Sequence, residues 1–67
     1  MKLLTPDEFN ELQLPSHISG KVIEACRYIF ILDMPLNNAA KTCGITDPKG
    51  MLDLFDAMEH IIKQFDD

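Results

Sequence analysis

The sequence predicts an all-α domain of four helices, and three observations lead there. Apolar residues recur at helical spacing through two long stretches, Val22 to Leu32 and Met51 to Phe65. Helix-start signals stand at Thr5-Pro6 and at Thr46-Asp47-Pro48, each joining a capping residue to a first-turn proline. Between the long stretches, residues 36–46 read as a short helix closed by a glycine, with another helix beginning a few residues later. Sixty-seven residues make a single domain, 1–67, and 46% hydrophobic content is enough for one small core. A chain this short buries only roughly 60% of its unfolded surface, so dimerisation is a natural source of extra stability.

The first helix starts with Thr5 as cap, Pro6 in the first helical position and Glu8 completing a Thr-x-x-Glu capping box. Asp7 and Glu8 suit the positive end of its dipole. Phe9 and Leu12 share a face, and Leu14-Pro15 ends the element after about two turns. The second helix begins between Ser16 and Ser19 and runs to about Leu32, with Val22, Ile23, Cys26, Ile29 and Phe30 inward and Glu24 and Arg27 paired on the wetter side. Tyr28 to Leu32 has strand propensity, but the helical period continues from Val22 and no strand partner exists elsewhere. Asp33-Met34-Pro35 is a turn, because the residue before a proline avoids the helical region. The third helix spans Leu36 or Asn37 to Cys43. The fourth begins between Asp47 and Gly50 and carries Met51, Leu54, Phe55, Met58, Ile61, Ile62 and Phe65 as a broad apolar stripe.

The junction of the last two helices has the residue order of a helix-turn-helix. Ala39, Ala40 and Cys43 allow close approach, Gly44 takes the left-handed residue, Ile45 returns to the core and Thr46 can cap the next helix. The apolar anchors of that helix fall one place late, at Met51 and Leu54 rather than Gly50 and Asp53, so the turn is longer by one residue, absorbed at Asp47-Pro48. This pattern resembles the KorA/TrfB-type repressors of plasmids. Leu4-Thr5-x-x-x-Phe9 is similar to their opening helix and Ile23-Glu24-x-Cys26-Arg27, with alanine or cysteine in the fourth place, to their second. Pro35, Ala40 and Gly44-Ile45-Thr46 are similar to their helix-turn-helix, and Phe65-Asp66 to the end of the recognition region. The resemblance runs from about Leu4 to Asp66 and implies a small transcriptional regulator of a mobile element that binds double-stranded DNA. In two respects the chain departs from that family: it ends before the segment that helps those repressors dimerise, and its recognition helix is acidic.

A wheel of about 100° per residue with Met51, Leu54, Phe55, Met58 and Ile62 inward sets Lys49, Asp53, Asp56, His60 and Lys63 outward. From Asp47 to Asp67 six acids oppose two lysines, a net of −4, within a chain of net charge −5 and pI near 4.7. That balance opposes non-specific attraction to phosphate or anionic lipid. It leaves two functions open. As a DNA reader, the chain sets Thr46, Lys49, Gly50, Leu52 and Asp53 near the bases, with Lys21, Arg27 and Lys41 on the backbone. As an acidic protein-interaction module, it docks a basic, DNA-binding protein through Asp53, Asp56, Glu59 and His60. The bland readings stand beside these: a solvated helix start at Thr46 and Lys49, a solvated charged face at Asp53, Asp56 and Glu59, and an error of wheel phase at Leu52.

Chemistry-bearing groups are sparse. Cys26 and Cys43 lie on different helices without metal-type neighbours and read as small apolar residues. His17 and His60 are far apart in sequence, without an acidic or nucleophilic companion. We therefore expect no enzyme activity, no cofactor, no metal and no small-molecule substrate. No apolar run reaches the roughly 20 residues of a membrane span, and the start Met1 to Pro6 has no leader-like stretch. The expected location is cytoplasmic, with a homodimer as one assembly.

Overall fold

The computed structural model describes residues 3–65, which form four helices and no strand: α1 (Pro6–Asn10), α2 (Gly20–Leu32), α3 (Leu36–Thr42) and α4 (Pro48–Phe65). Met1, Lys2, Asp66 and Asp67 lie outside the described residues, and with them two of the six C-terminal acids and the Asp66 of the family pattern. The second helix is the hub, packing against α1, α3 and α4. The buried set is apolar throughout: Leu4, Phe9, Ile18, Val22, Ala25, Cys26, Ile29, Phe30, Ala39, Ala40, Ile45, Leu54, Ala57 and Ile61.

The capping box of α1 is formed: Glu8 N–H donates to Thr5 Oγ1 at 3.2 Å and Thr5 N–H to Glu8 Oε1 at 2.9 Å. The helix then closes at Asn10, earlier than its sequence suggests. Leu12 N–H turns back to the Phe9 carbonyl at 3.1 Å, so Leu12 is held in the loop, half-buried, and not on the helix. Phe9 remains in the core, with the Arg27 guanidinium 5.1 Å above its ring.

Tyr28 to Leu32 is helical, as periodicity predicts over propensity. Two devices end α2. Asp33 takes the left-handed conformation at φ 57°. The Leu4 N–H donates to the Phe30 carbonyl at 2.8 Å, satisfying one of the acceptors that a helix C-terminus leaves open. Phe30 itself is wholly buried and meets Phe65 edge to face at 6.0 Å, which ties the ends of α2 and α4 together.

The α3–α4 junction is made by backbone geometry. Gly44 sits at φ 75°, its N–H donates to the Lys41 carbonyl at 3.2 Å, and Ile45 N–H donates to the Ala40 carbonyl at 2.8 Å. This is the paired hydrogen bonding of a Schellman motif, and the accompanying apolar contact is supplied by buried Ile45 and Ala40. The next cap belongs to Asp47 and not to Thr46. Asp47 Oδ2 accepts from Gly50 N–H at 3.1 Å, while Thr46 stays exposed. Proline at 48 explains the choice, since it holds Asp47 out of the helical region and leaves its carboxylate above the open amides of the first turn. A Cβ at Gly50 would lie 2.8 Å from that carboxylate, so glycine there makes room for the cap.

Candidate functional site

The surface open to a partner is set by how α4 rolls onto α2. Leu54, Ala57 and Ile61 are completely buried and form its inner line. Met51, Met58 and Phe65 are half-buried beside them. Phe55 is 48% exposed and Ile62 38%, although the sequence wheel set both inward. The helix is turned by roughly 80° from that wheel, because a wheel weights side chains by hydrophobicity. Packing instead selects the line that includes small, completely buried Ala57. Leu52, 67% exposed, is outside the core on either phase. The result is an exposed apolar flank of Leu52, Phe55 and Ile62, bordered by half-buried Met51 and Met58.

The other flank of α4 is covered by the loop after α1. The Gln64 side chain accepts from Gln13 N–H at 2.7 Å and donates to the Gln13 carbonyl, a two-way clasp between side chain and backbone. Further along, His17 Nε2 lies 3.6 Å from Asp56 Oδ2, and His60 Nδ1 lies 3.9 Å from Asp56 Oδ1 and 3.1 Å from the Asp56 carbonyl oxygen. The two histidines, far apart in sequence and without an expected companion, thus share one carboxylate. Among the described residues no group of three or more His, Cys, Asp or Glu side chains is placed to hold a metal ion.

The loop contacts and an ion pair within α4 occupy part of the expected recognition face. Asp53, Asp56 and His60 are half-buried rather than open. Asp56 is shared by two imidazoles, and Glu59 pairs with Lys63 Nζ at 3.0 Å. Lys49 and Thr46 stay exposed at the front of α4, while Gly50 is half-buried beneath the Asp47 cap. Of the expected backbone contacts, Lys21 and Lys41 are exposed. Arg27 is engaged elsewhere: it bonds Asn10 Oδ1, lies 3.9 Å from Glu24 and stacks on Phe9. The cationic side chains expected to act as one group are thus spread over α2, α3 and α4, with the guanidinium consumed at the α1–α2 contact.

Comparison with protein families, with curated proteins and with solved structures finds no match for this chain. The membrane is the simplest case: no described helix is long and apolar enough to cross one.

Both thiols are free. Burial pushes the Cys26 thiol up to about 12, with the neighbouring Cys43 thiolate adding to the shift, so Cys26 is an inert core residue. Cys43 is half-buried, and burial followed by Glu24 raises it too.

Proposed function

We propose that this chain is a protein-interaction module, built on a helix-turn-helix scaffold, that presents the apolar flank of α4 to a partner protein. The observation that carries this reading is the exposure of Leu52, Phe55 and Ile62 along one side of a helix whose other side is clasped by a loop. Scattered exposed leucines need no explanation, but a line of large apolar side chains on one helix flank is what helix-in-groove recognition uses. Acid-led docking through Asp53, Asp56 and His60 has less support, since Asp56 is already partnered within the fold. Affinity capture with the intact chain tests the proposal, using L52S/F55S as the control. A stoichiometric partner retained by the native sequence and by K49A, and lost with L52S/F55S, is the expected outcome. Equal capture by all three forms would sink the reading.

A second reading, a DNA-binding transcriptional regulator, is favoured by one specific arrangement. The Schellman turn sets α3 and α4 at a short junction over α2, and leaves Thr46, Lys49 and Leu52 exposed at the leading end of α4. That is where a recognition helix offers its base contacts. Fluorescence anisotropy with duplex DNA from its own upstream region at low salt tests this. Binding that weakens with salt, with K49A lowering the slope of log K against log salt by about one, would support it. Absence of a sequence-specific complex at about 10 μM protein would remove it.

A further inference from the structure

We infer that the loop after α1 is a pH-sensitive strap over α4, latched in mild acid by His17 on Asp56 and slackened as that imidazole loses its proton. The inference goes beyond the partner readings above and depends on neither. Its first support is placement. The loop, residues 11–19, meets α4 at two polar points, Gln13 on Gln64 and His17 on Asp56. Loop numbers rise as helix numbers fall, so the strap runs antiparallel to α4. Its two points are separated along the helix axis by about 12 Å. Leu14, between them, packs on the core, and Ile18, just past the second, is buried. These two side chains keep the strap near the helix when the latch opens.

The two points differ in chemistry. The clasp at Gln13 joins a carboxamide to the backbone and carries no titrating group. His17 Nε2 lies 3.6 Å from Asp56 Oδ2, too far for a hydrogen bond from a neutral ring but close enough for an ion pair once the ring is protonated. His60 Nδ1 lies 3.9 Å from the other oxygen, Asp56 Oδ1, and 3.1 Å from the Asp56 carbonyl, so it does not take the place of His17. The neighbouring charges are few. Asp53 stands one turn before Asp56 on α4, and Glu59 is paired with Lys63 at 3.0 Å. Glu11 begins the loop, Lys21 follows the start of α2, and Glu24 lies 3.9 Å from Arg27. The closed strap binds the His17 proton more tightly than the open one, because only closure brings the ring to Asp56. Closure therefore grows as pH falls through the range of about 5–8 in which imidazoles gain charge. The side chains of the latch are partly in water, so the closure equilibrium changes by only about two- to fivefold.

Amide hydrogen exchange of the intact chain at about pH 5.5 and about pH 8, corrected for intrinsic rate, tests the inference. The Ile18 N–H donates to the Pro15 carbonyl at 3.2 Å and reports order within the strap. Its protection is about two- to fivefold greater at the lower pH, while amides in the middle of α2 show no such change. That comparison needs no variant. H17Q and D56N, at partly exposed sites, keep the helical circular dichroism and abolish the difference at Ile18, whereas H60Q retains it. Equal protection of Ile18 at both pH values overturns the inference, as does a difference that survives H17Q or D56N. A change shared by the middle of α2 also overturns it, since the whole fold and not the strap would then be responding. Loss of the difference with H60Q would move the latch from His17 to the helix itself and overturn it too.

Discussion

At the scale of single residues, two left-handed positions have opposite consequences. Gly44 at φ 75° ends α3, and a Cβ built there meets nothing within 4 Å, so the demand for glycine is purely conformational. Gly44→Ala should lower stability by about 1–2 kcal/mol, read as a drop in urea midpoint, and Gly44→Asn should cost less, because asparagine tolerates that region. Asp33 occupies the same region at φ 57° as a non-glycine residue, and its carboxylate sits at the negative end of the α2 dipole. Asp33→Gly removes both costs and should raise stability by about 0.5–1 kcal/mol. An unchanged or lower midpoint would show that the Asp33 side chain contributes something that offsets its strain.

At the scale of elements, the clasp between Gln64 and Gln13 holds a loop against one flank of α4. It joins residues 51 apart in sequence and fixes the loop after α1 to the far flank of the helix. Gln64→Ala should cost about 1 kcal/mol and speed hydrogen exchange at the Gln13 amide, with exchange in the middle of α2 changed only by the global loss. Exchange at Gln13 as fast in the native chain as in the variant would mean that the clasp is open in solution. The rotation of α4 belongs to this scale as well. Hydrophobicity along Met51 to Phe65 predicts one stripe, whereas the structure divides it into a buried line, led by Leu54, Ala57 and Ile61, and an uncovered one, led by Phe55 and Ile62. Alanine at 57 gives little hydrophobic signal yet is completely buried, so the inward direction was not legible from residue types.

At the scale of the whole molecule, the core is small and apolar throughout, and its one titratable member links stability to pH. Cys26 is raised to about 12, first by burial and then by Cys43, whereas an unfolded thiol titrates at about 8.5. The folded chain therefore holds its thiol proton while the unfolded chain releases it. The Cys26 contribution is intact below about pH 8.5 and declines as pH rises toward 12, at up to about 1.4 kcal/mol per pH unit. Urea midpoints between about pH 7 and 10.5 should fall more steeply for the native chain than for Cys26→Ala. Parallel slopes would show that the thiol titrates alike in both states.

The local grammar of this protein is set by its sequence without help from distant contacts. The Thr5–Glu8 capping box, the helical Tyr28–Leu32, the Gly44 turn with Ile45 in the core and the proline start of α4 all arise from forces acting over a few residues. Packing between helices settled the rest. His17 and His60 converged on Asp56, Gln64 reached back to Gln13, and Phe55 and Ile62 were left on the surface. These three share one cause. They depend on how far one helix rolls and which loop then lies against it, a choice made by the fit of side chains across the whole core, where changing a single contact line turns part of the same hydrophobic stripe from a core face into an exposed one.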